Sequence, residues 1–258
     1  MVQAELERMR EVAVRLAKEA GSYAVERLDA DNGVTAKGDG ADVVTEVDHV
    51  CEKRIIEGLR EAFPDHAITG EESGRHGDDD ASIRWLVDPL DGTNNYVMGM
   101  PMFGVCITAC DGDEPLVAVM HDSMRDISTS AMRGGGTFRN DTRVEMGEGG
   151  PLGQTTLSWS QGYAVDYDDS FRVRAMEAME RSAKRVLRTW SPSVDWGLLA
   201  SGHTGAFVLY RNEVWDLVGG VLIGEEAGGE VFRAPEIDCV IVGKPGTVAQ
   251  VRALLGLG

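Results

Sequence analysis

Apolar residues recur at helical spacing from about Ala4 to Leu28 and again through VDHVCEKRIIEGLREAFP, where Val50, Ile55, Leu59 and Phe63 mark one face and Pro64 the stop. This pattern predicts two amphipathic helices joined by AKGDGADVVTEVD, a Gly/Asp-rich loop. Beyond them the period changes. HAIT and SIRWLV read as short buried strands, and PMFGVCITAC, PLVAVMHD and DISTSAMR as three more in a meander, so the first part of the chain is α+β. RGGGTFRND follows that meander without opening a helix, which predicts a hairpin connection and not a phosphate loop.

After the Gly-rich MGEGGPLGQ stretch the elements alternate. TTLSWS, GAFVLY and CVIVG read as strands; FRVRAMEAMERSAKRVLRT, DWGLLASG, VWDLVGGVLIGEEAGG and TVAQVRALLG read as helices. Alternation predicts a second, α/β lobe and divides the chain at 1–148 and 149–258. No repeat or linker separates the two, so a site between them is expected.

Composition narrows the function. With 258 residues and 43% hydrophobic content the chain can bury a large core. A net charge of -18 argues against a nucleic acid polymer or an anionic membrane as the main partner, because both would be repelled. Only five of the 25 basic residues are lysine, so an anionic substrate would need positive charge from elsewhere, and a metal ion is one source. The N-terminus is charged and amphipathic, and no apolar run approaches the roughly 20 residues of a membrane span, which makes a cytoplasmic protein the expectation. Cys51, Cys106, Cys110 and Cys239 lie in apolar segments without CxxC spacing and read as reduced core thiols.

The stretch WLVDPLDGTNNY, Trp85 to Tyr96, carries the strongest chemical signal. Pro89 suits position i+1 of a type I turn, which would bring Asp88 and Asp91 together. Two carboxylates that close suit an oxygen-ligated Mg²⁺, with the Leu90 carbonyl as a further ligand. Gly92 allows close backbone approach, and the amides of Gly92 and Thr93 would open a helical turn where an anion is favoured. By turn chemistry alone the stretch could equally be a plain turn. Upstream, Glu71 and Glu72 stand at a strand end, with a solvated loop as the alternative; Asp42, Thr45 and Asp48 stand at a helix start, where Thr45 or Asp48 could simply be an N-cap.

Four elements, DVVTEVD, FPDHAITGEE, WLVDPLDGTNNY and WDLVGGVLIGEEAGG, occur in the order and at the intervals of the inositol monophosphatase family, and the sequence resembles that family over nearly its whole length. The resemblance implies the family's layered αβαβα sandwich, shared with fructose-1,6-bisphosphatase, and Mg²⁺-dependent, lithium-sensitive hydrolysis of a phosphate monoester. It implies that Glu71, Asp88 and the Leu90 carbonyl hold one Mg²⁺ and that Asp88, Asp91 and Asp216 hold a second, with a weaker third near Glu71 as an open alternative. It further implies that Thr93, paired with Asp48, orients the attacking water, that Gly92 and Thr93 grip the phosphate, and that the protein is a homodimer.

The second lobe departs from the family pattern. Where inositol-phosphate enzymes carry a glutamate seven residues before the WD aspartate, Leu209 stands, and their Gly-Ser-Ala stretch is here Ser191-Pro192-Ser193, preceded by the bulky Trp190. A wall lacking that carboxylate is expected to favour polyols poorly. Inositol 1-phosphate is therefore one candidate beside histidinol phosphate, fructose 1,6-bisphosphate and 3'-phosphonucleotides. Trp159, Trp190, Asp195, Trp196 and Arg211 are candidate leaving-group contacts, with core packing as the competing reading for the aromatics. A non-catalytic, divalent-ion-binding regulatory protein is the alternative from a different class.

Overall fold

The computed structural model describes residues 2–37 and 42–258; the middle of the expected Gly/Asp-rich loop, 38–41, lies outside them. Helix α1 (Gln3–Glu26) and helix α2 (Glu46–Ala62) bury Leu6, Met9, Ala13, Leu16 and Ile55, Leu59 on facing stripes, as the periodicity predicts, except that Val47 and Cys51, not Val50, begin the α2 stripe. Strands β1 (Thr35–Lys37) and β2 (Asp42–Val44) form a two-stranded antiparallel ladder just before α2. Thr45 caps α2 in a capping box, its side chain accepting from Val47 while Asp48 accepts from the Thr45 amide.

Strands β3 (Ala67–Gly70), β4 (Gly74–His76) and β5 (Ile83–Asp91) lead into the short helix α3 (Thr93–Val97). The meander follows as β6 (Gly104–Asp111), β7 (Glu114–Asp122), β8 (Ile127–Met132), β9 (Gly136–Arg139) and β10 (Thr142–Val144). These strands make one sheet of order β10-β9-β8-β7-β6-β5-β3-β4, antiparallel except for the β3–β5 pair. The segment RGGGTFRND does hold a hairpin connection, and its Gly136–Arg139 part is itself a strand.

The remaining elements are β11 (Thr156–Gln161), α4 (Ser170–Ser182), β12 (Arg185–Leu187), α5 (Pro192–Ala200), β13 (Ala206–Tyr210), α6 (Val214–Glu226), β14 (Glu230–Ala234), β15 (Cys239–Gly243) and α7 (Thr247–Leu254). Their sheet has the order β12-β11-β13-β15-β14, with β11 parallel to both of its neighbours. Helices α1 and α2 cover one face of the large sheet, α5 and α6 lie between the two sheets, and α4 and α7 cover the far face of the smaller one. The result is the αβαβα sandwich, with one hydrophobic cluster in each interlayer space. The middle layer belongs to both halves: Trp196, Leu199, Val221 and Leu222 pack with Cys106, Ala118 and Met120 of the large sheet and with Phe207, Leu209 and Val242 of the small one.

Two expectations are corrected. The helix predicted over 171–189 ends at Ser182, because Val186 and Leu187 find better burial as an edge strand parallel to β11. Asp88–Asp91 does not form a free-standing type I turn: β5 runs on through Asp91, and its register with β6 shifts between Asp88 and Asp91. That bulge, closed by the Leu90 amide donating to Asp88 Oδ1 at 2.9 Å, converges the two carboxylates instead. All four cysteines are free and buried. Among the described residues no helix is long and apolar enough to cross a membrane.

Candidate metal centre and active site

The bulge leaves Asp88 and Asp91, each 3% exposed, at the end of the large sheet. Helix α6 begins opposite them and contributes Asp216 from its first turn, so that one oxygen of each of the three carboxylates lies within 4.8 Å of the others. Glu71 follows β3, its amide donating to the Val87 carbonyl at 3.0 Å, and its carboxyl group is in hydrogen-bonding contact with that of Asp88. Two elements of the large sheet and one helix of the middle layer thus meet at a single point.

Beside this cluster the backbone turns sharply at Gly92. Gly92 adopts φ 86°, and a Cβ there would lie 3.0 Å from the Met102 carbonyl and 3.2 Å from Ser191 Cβ, so only glycine fits. Thr93 then opens α3, and its hydroxyl lies 3.0 Å from Asp48 Oδ1 and 2.9 Å from the Leu90 carbonyl oxygen. Asp48 Oδ2 also accepts from the Thr45 hydroxyl at 2.6 Å. The N-cap reading and the water-orienting arrangement of Asp48 are therefore compatible, since one carboxylate oxygen serves each.

Electrostatically the cleft is starved of positive charge. Its open cavity of about 460 Å³ is lined by seven carboxylates and, among the described residues, by one ammonium group, Lys37. Lys37 Nζ lies 2.8 Å from Glu71 Oε1 and 2.5 Å from Glu72 Oε1. Burial alone would lower its pKa, but Glu71 and Glu72 outweigh burial and raise it. Burial likewise pushes Glu71 up to about 7 and Asp91 up to about 6. Asp88 and Asp216 rise well above the usual carboxylate range, through burial and then through the other carboxylates. Oxygen donors this close, held where their charge is costly, fit a hard cation such as Mg²⁺.

Apart from Trp190, the second-lobe candidates fall elsewhere than expected. Ser191 and Ser193 hold Asp91: the Ser191 hydroxyl donates to Asp91 Oδ2 at 2.8 Å and the Ser193 amide donates to it at 2.7 Å. Pro192 takes the first helical position of α5, where its fixed φ is preorganised. Trp190 lines the cleft. Leu209 does not; it is 1% exposed in the middle-layer core, because β13 extends through Tyr210 and pairs it with Ser160 and Val240. Arg211 is exposed beyond the strand, over the Tyr210 ring and 3.9 Å from Asp169. Trp159 and Trp196 are core, and Asp195, fully buried, accepts from the Thr189 hydroxyl. His66 accepts from Trp85 Nε1 at 3.1 Å and stacks on Phe63, a scaffold position.

Sequence reasoning missed Lys37, which no motif spacing marks, and Glu213, which lines the cleft just before α6. The wall is therefore not without a carboxylate: Glu213 sits at the turn beyond the strand that buries Leu209.

The profile of the Inositol monophosphatase family matches residues 5–253. A curated relative, the Nus factor SuhB of Xylella fastidiosa, is 33% identical over 202 residues, 76% of this chain and 73% of the relative. The solved structure of extragenic suppressor protein suhB from Bartonella henselae superposes with a TM-score of 0.89 at 26% identity, covering 96% of this chain and 98% of that one. The Thermotoga maritima IMPase superposes with a TM-score of 0.84 at 25% identity, over 95% and 96% of the two chains.

Proposed function

The chain belongs to the inositol monophosphatase family, and from that premise we propose that it is a Mg²⁺-dependent phosphatase of small phosphate monoesters. The observation that carries this reading is the cleft itself, in which seven carboxylates face one lysine. A phosphate cannot enter such a cleft unless cations precede it. Glu71, Asp88 and the Leu90 carbonyl would hold one Mg²⁺ and Asp88, Asp91 and Asp216 a second; a third near Glu71 would have to displace the Lys37 ammonium. Bound there, Mg²⁺ supplies the positive charge that offsets the phosphoryl oxygens and lowers the pKa of a nearby water.

The chain's own residues do the rest. The backbone amides of Gly92 and Thr93, at the start of α3, donate to the phosphate. The Thr93 hydroxyl, positioned by Asp48, orients the water for in-line attack on phosphorus, and Asp48, whose pKa burial raises, is placed to receive the proton through it. Ser191 and Ser193 fix Asp91. A sugar, polyol or amino-alcohol phosphate is the substrate class, with inositol 1-phosphate, histidinol phosphate, fructose 1,6-bisphosphate and a 3'-phosphonucleotide as the panel to assay. A cytoplasmic homodimer is part of the same reading.

The experiment is phosphate release from that panel with Mg²⁺ and with EDTA, beside Asp88→Asn. Release that needs Mg²⁺ and drops by about 10³-fold or more in Asp88→Asn is expected, because the variant removes a ligand shared by both ions. Release indifferent to EDTA and to Asp88→Asn would sink the metal mechanism. The name of the Xylella fastidiosa relative, a Nus factor, favours a second reading in which the fold serves a macromolecular partner without turnover; Mg²⁺ binding with no release from any compound would support it.

A further inference from the structure

Resting on the phosphatase reading, we propose that the substrate's leaving group carries a flat, unsaturated ring, received by a wall of Tyr163 and Trp190 and the pocket that adjoins it. Trp190 adopts φ 57°, a left-handed conformation that a bulky residue rarely takes. The fold holds it there from both sides. Before it, Thr189 donates from its hydroxyl to Asp195; after it, the Ser191 amide donates to Thr189 Oγ1 at 3.1 Å and the Ser191 hydroxyl donates to Asp91. A glycine would occupy this position without strain, and core packing does not explain the tryptophan, whose ring is half-buried and faces the cleft.

What the ring does is make a surface. It stacks on Tyr163 with centroids 6.1 Å apart and planes 23° apart, and the Arg188 guanidinium lies 5.2 Å from its centroid. The pair lines both the catalytic cleft and a second cavity of about 280 Å³, where Met98, Val165 and Tyr167 join it. A cavity of about 150 Å³ already accepts a benzene ring. The pocket begins one residue past the phosphate-gripping Thr93, at Asn94 and Asn95, within reach of a leaving group attached to that phosphate. Tyr163, Tyr167 and Met98 remain 45%, 74% and 66% exposed, apolar surface that a ring would cover. Asn94, Asn95 and Gln161 also line the pocket and can meet the polar edge of a ring, but the Met98 and Val165 side chains offer a polyol's hydroxyls no hydrogen bond.

The test compares kcat/KM, with Mg²⁺, for 2-phenylethyl phosphate, 2-cyclohexylethyl phosphate and glycerol 2-phosphate in the wild type, Trp190→Gly and Trp190→Phe. Glycine accepts the positive φ, so the first variant is expected to fold. Stacking of ordinary strength predicts that the wild type prefers the phenyl ester to the glycerol ester by about tenfold or more and to the cyclohexyl ester by about threefold. The phenyl-to-glycerol ratio is expected to fall about tenfold in Trp190→Gly and to stay within about threefold of wild type in Trp190→Phe. Histidinol phosphate and adenosine 3'-phosphate, run beside them, tell a small imidazole ring from a nucleobase as the natural source. A ratio equal in the wild type and Trp190→Gly overturns the proposal. Calorimetric binding of the same esters reads discrimination without turnover. No release from any ester would count against the phosphatase reading, whereas equal binding of ring and polyol esters would count against this one.

Discussion

Ser191 illustrates how single residues act at this site. It lies outside the cluster of Asp88, Asp91 and Asp216, yet its hydroxyl and the Ser193 amide both donate to Asp91 Oδ2 and fix that carboxylate. Ser191→Ala is expected to weaken Mg²⁺ binding by about tenfold, as loss of a ligand's hydrogen-bond partner commonly does; calorimetry that finds the affinity unaltered would contradict this role. Thr93→Val should separate orientation from ligation: turnover is expected to fall by about 10²-fold or more while Mg²⁺ affinity falls by no more than about tenfold, the effect of losing the hydrogen bond to the Leu90 carbonyl. Parallel losses of both would mean that Thr93 supports the metal site instead. At this scale the motifs marked Asp48, Glu71, Asp88, Asp91, Thr93 and Asp216 as residues to be brought together, because each sits in a short contiguous element of the sequence; their roles in the reaction are what the variants test. Lys37 was not legible: it reaches Glu71 across 34 positions only through the β1–β2 ladder. Leu209 was misjudged because counting back from Asp216 ignores where the strand ends; β13 keeps position 209 in the core and gives the cleft to Glu213.

Among the elements, α6 matters most, since it is both the core of the middle layer and the carrier of Asp216. Its close approach to neighbours depends on two glycines: a Cβ on Gly219 would lie 2.0 Å from Thr108 Oγ1, and one on Gly220 would lie 1.8 Å from Trp196 Cε2. Gly220→Ala therefore overpacks this layer and is expected to destabilise the protein by about 1–3 kcal/mol, or roughly 2–4 °C in Tm per kcal/mol at this chain length. Thermal unfolding checks it, and a Tm equal to wild type would show that α6 can shift away from Trp196. The longer helices and the central strands were legible because their periodicity is strong. The short ones at the sheet margins were not: β10, β12 and β14 are edge strands of three to five residues whose conformation is set by the neighbouring strand, not by local pattern.

Over the whole molecule, the charge of -18 and the carboxylate-lined cleft combine into a pH dependence. Burial raises Asp91 to about 6, and burial, opposed in part by Lys37, raises Glu71 to about 7. Both values exceed the ordinary carboxylate range near about 4 expected of the unfolded chain. In EDTA the folded protein thus holds protons that the unfolded chain has released. This contribution to stability is complete below about pH 4 and is lost as the pH rises through 6 and 7. Tm in EDTA is expected to fall between pH 5 and pH 8, and the rise in Tm on adding Mg²⁺ to be several degrees larger at pH 8, where fewer protons compete with the ion. A Mg²⁺ effect independent of pH would contradict the assignment of these carboxylates as ligands.

The αβαβα order was legible from the four motifs and the change of pattern near residue 150; the shared middle layer is marked only by α5 and α6 being apolar on nearly every side, which says that a helix is buried but not against which sheets. That layer is what brings Asp216 to Asp88 and Asp91, so the most direct measurement is phosphate release against Mg²⁺ concentration for Asp216→Asn and wild type. The expectation is that the variant needs at least about tenfold more Mg²⁺ and turns over at least about 10²-fold more slowly. An unchanged Mg²⁺ requirement and rate would contradict it, since the metal centre would then be complete without the helix that joins the two sheets.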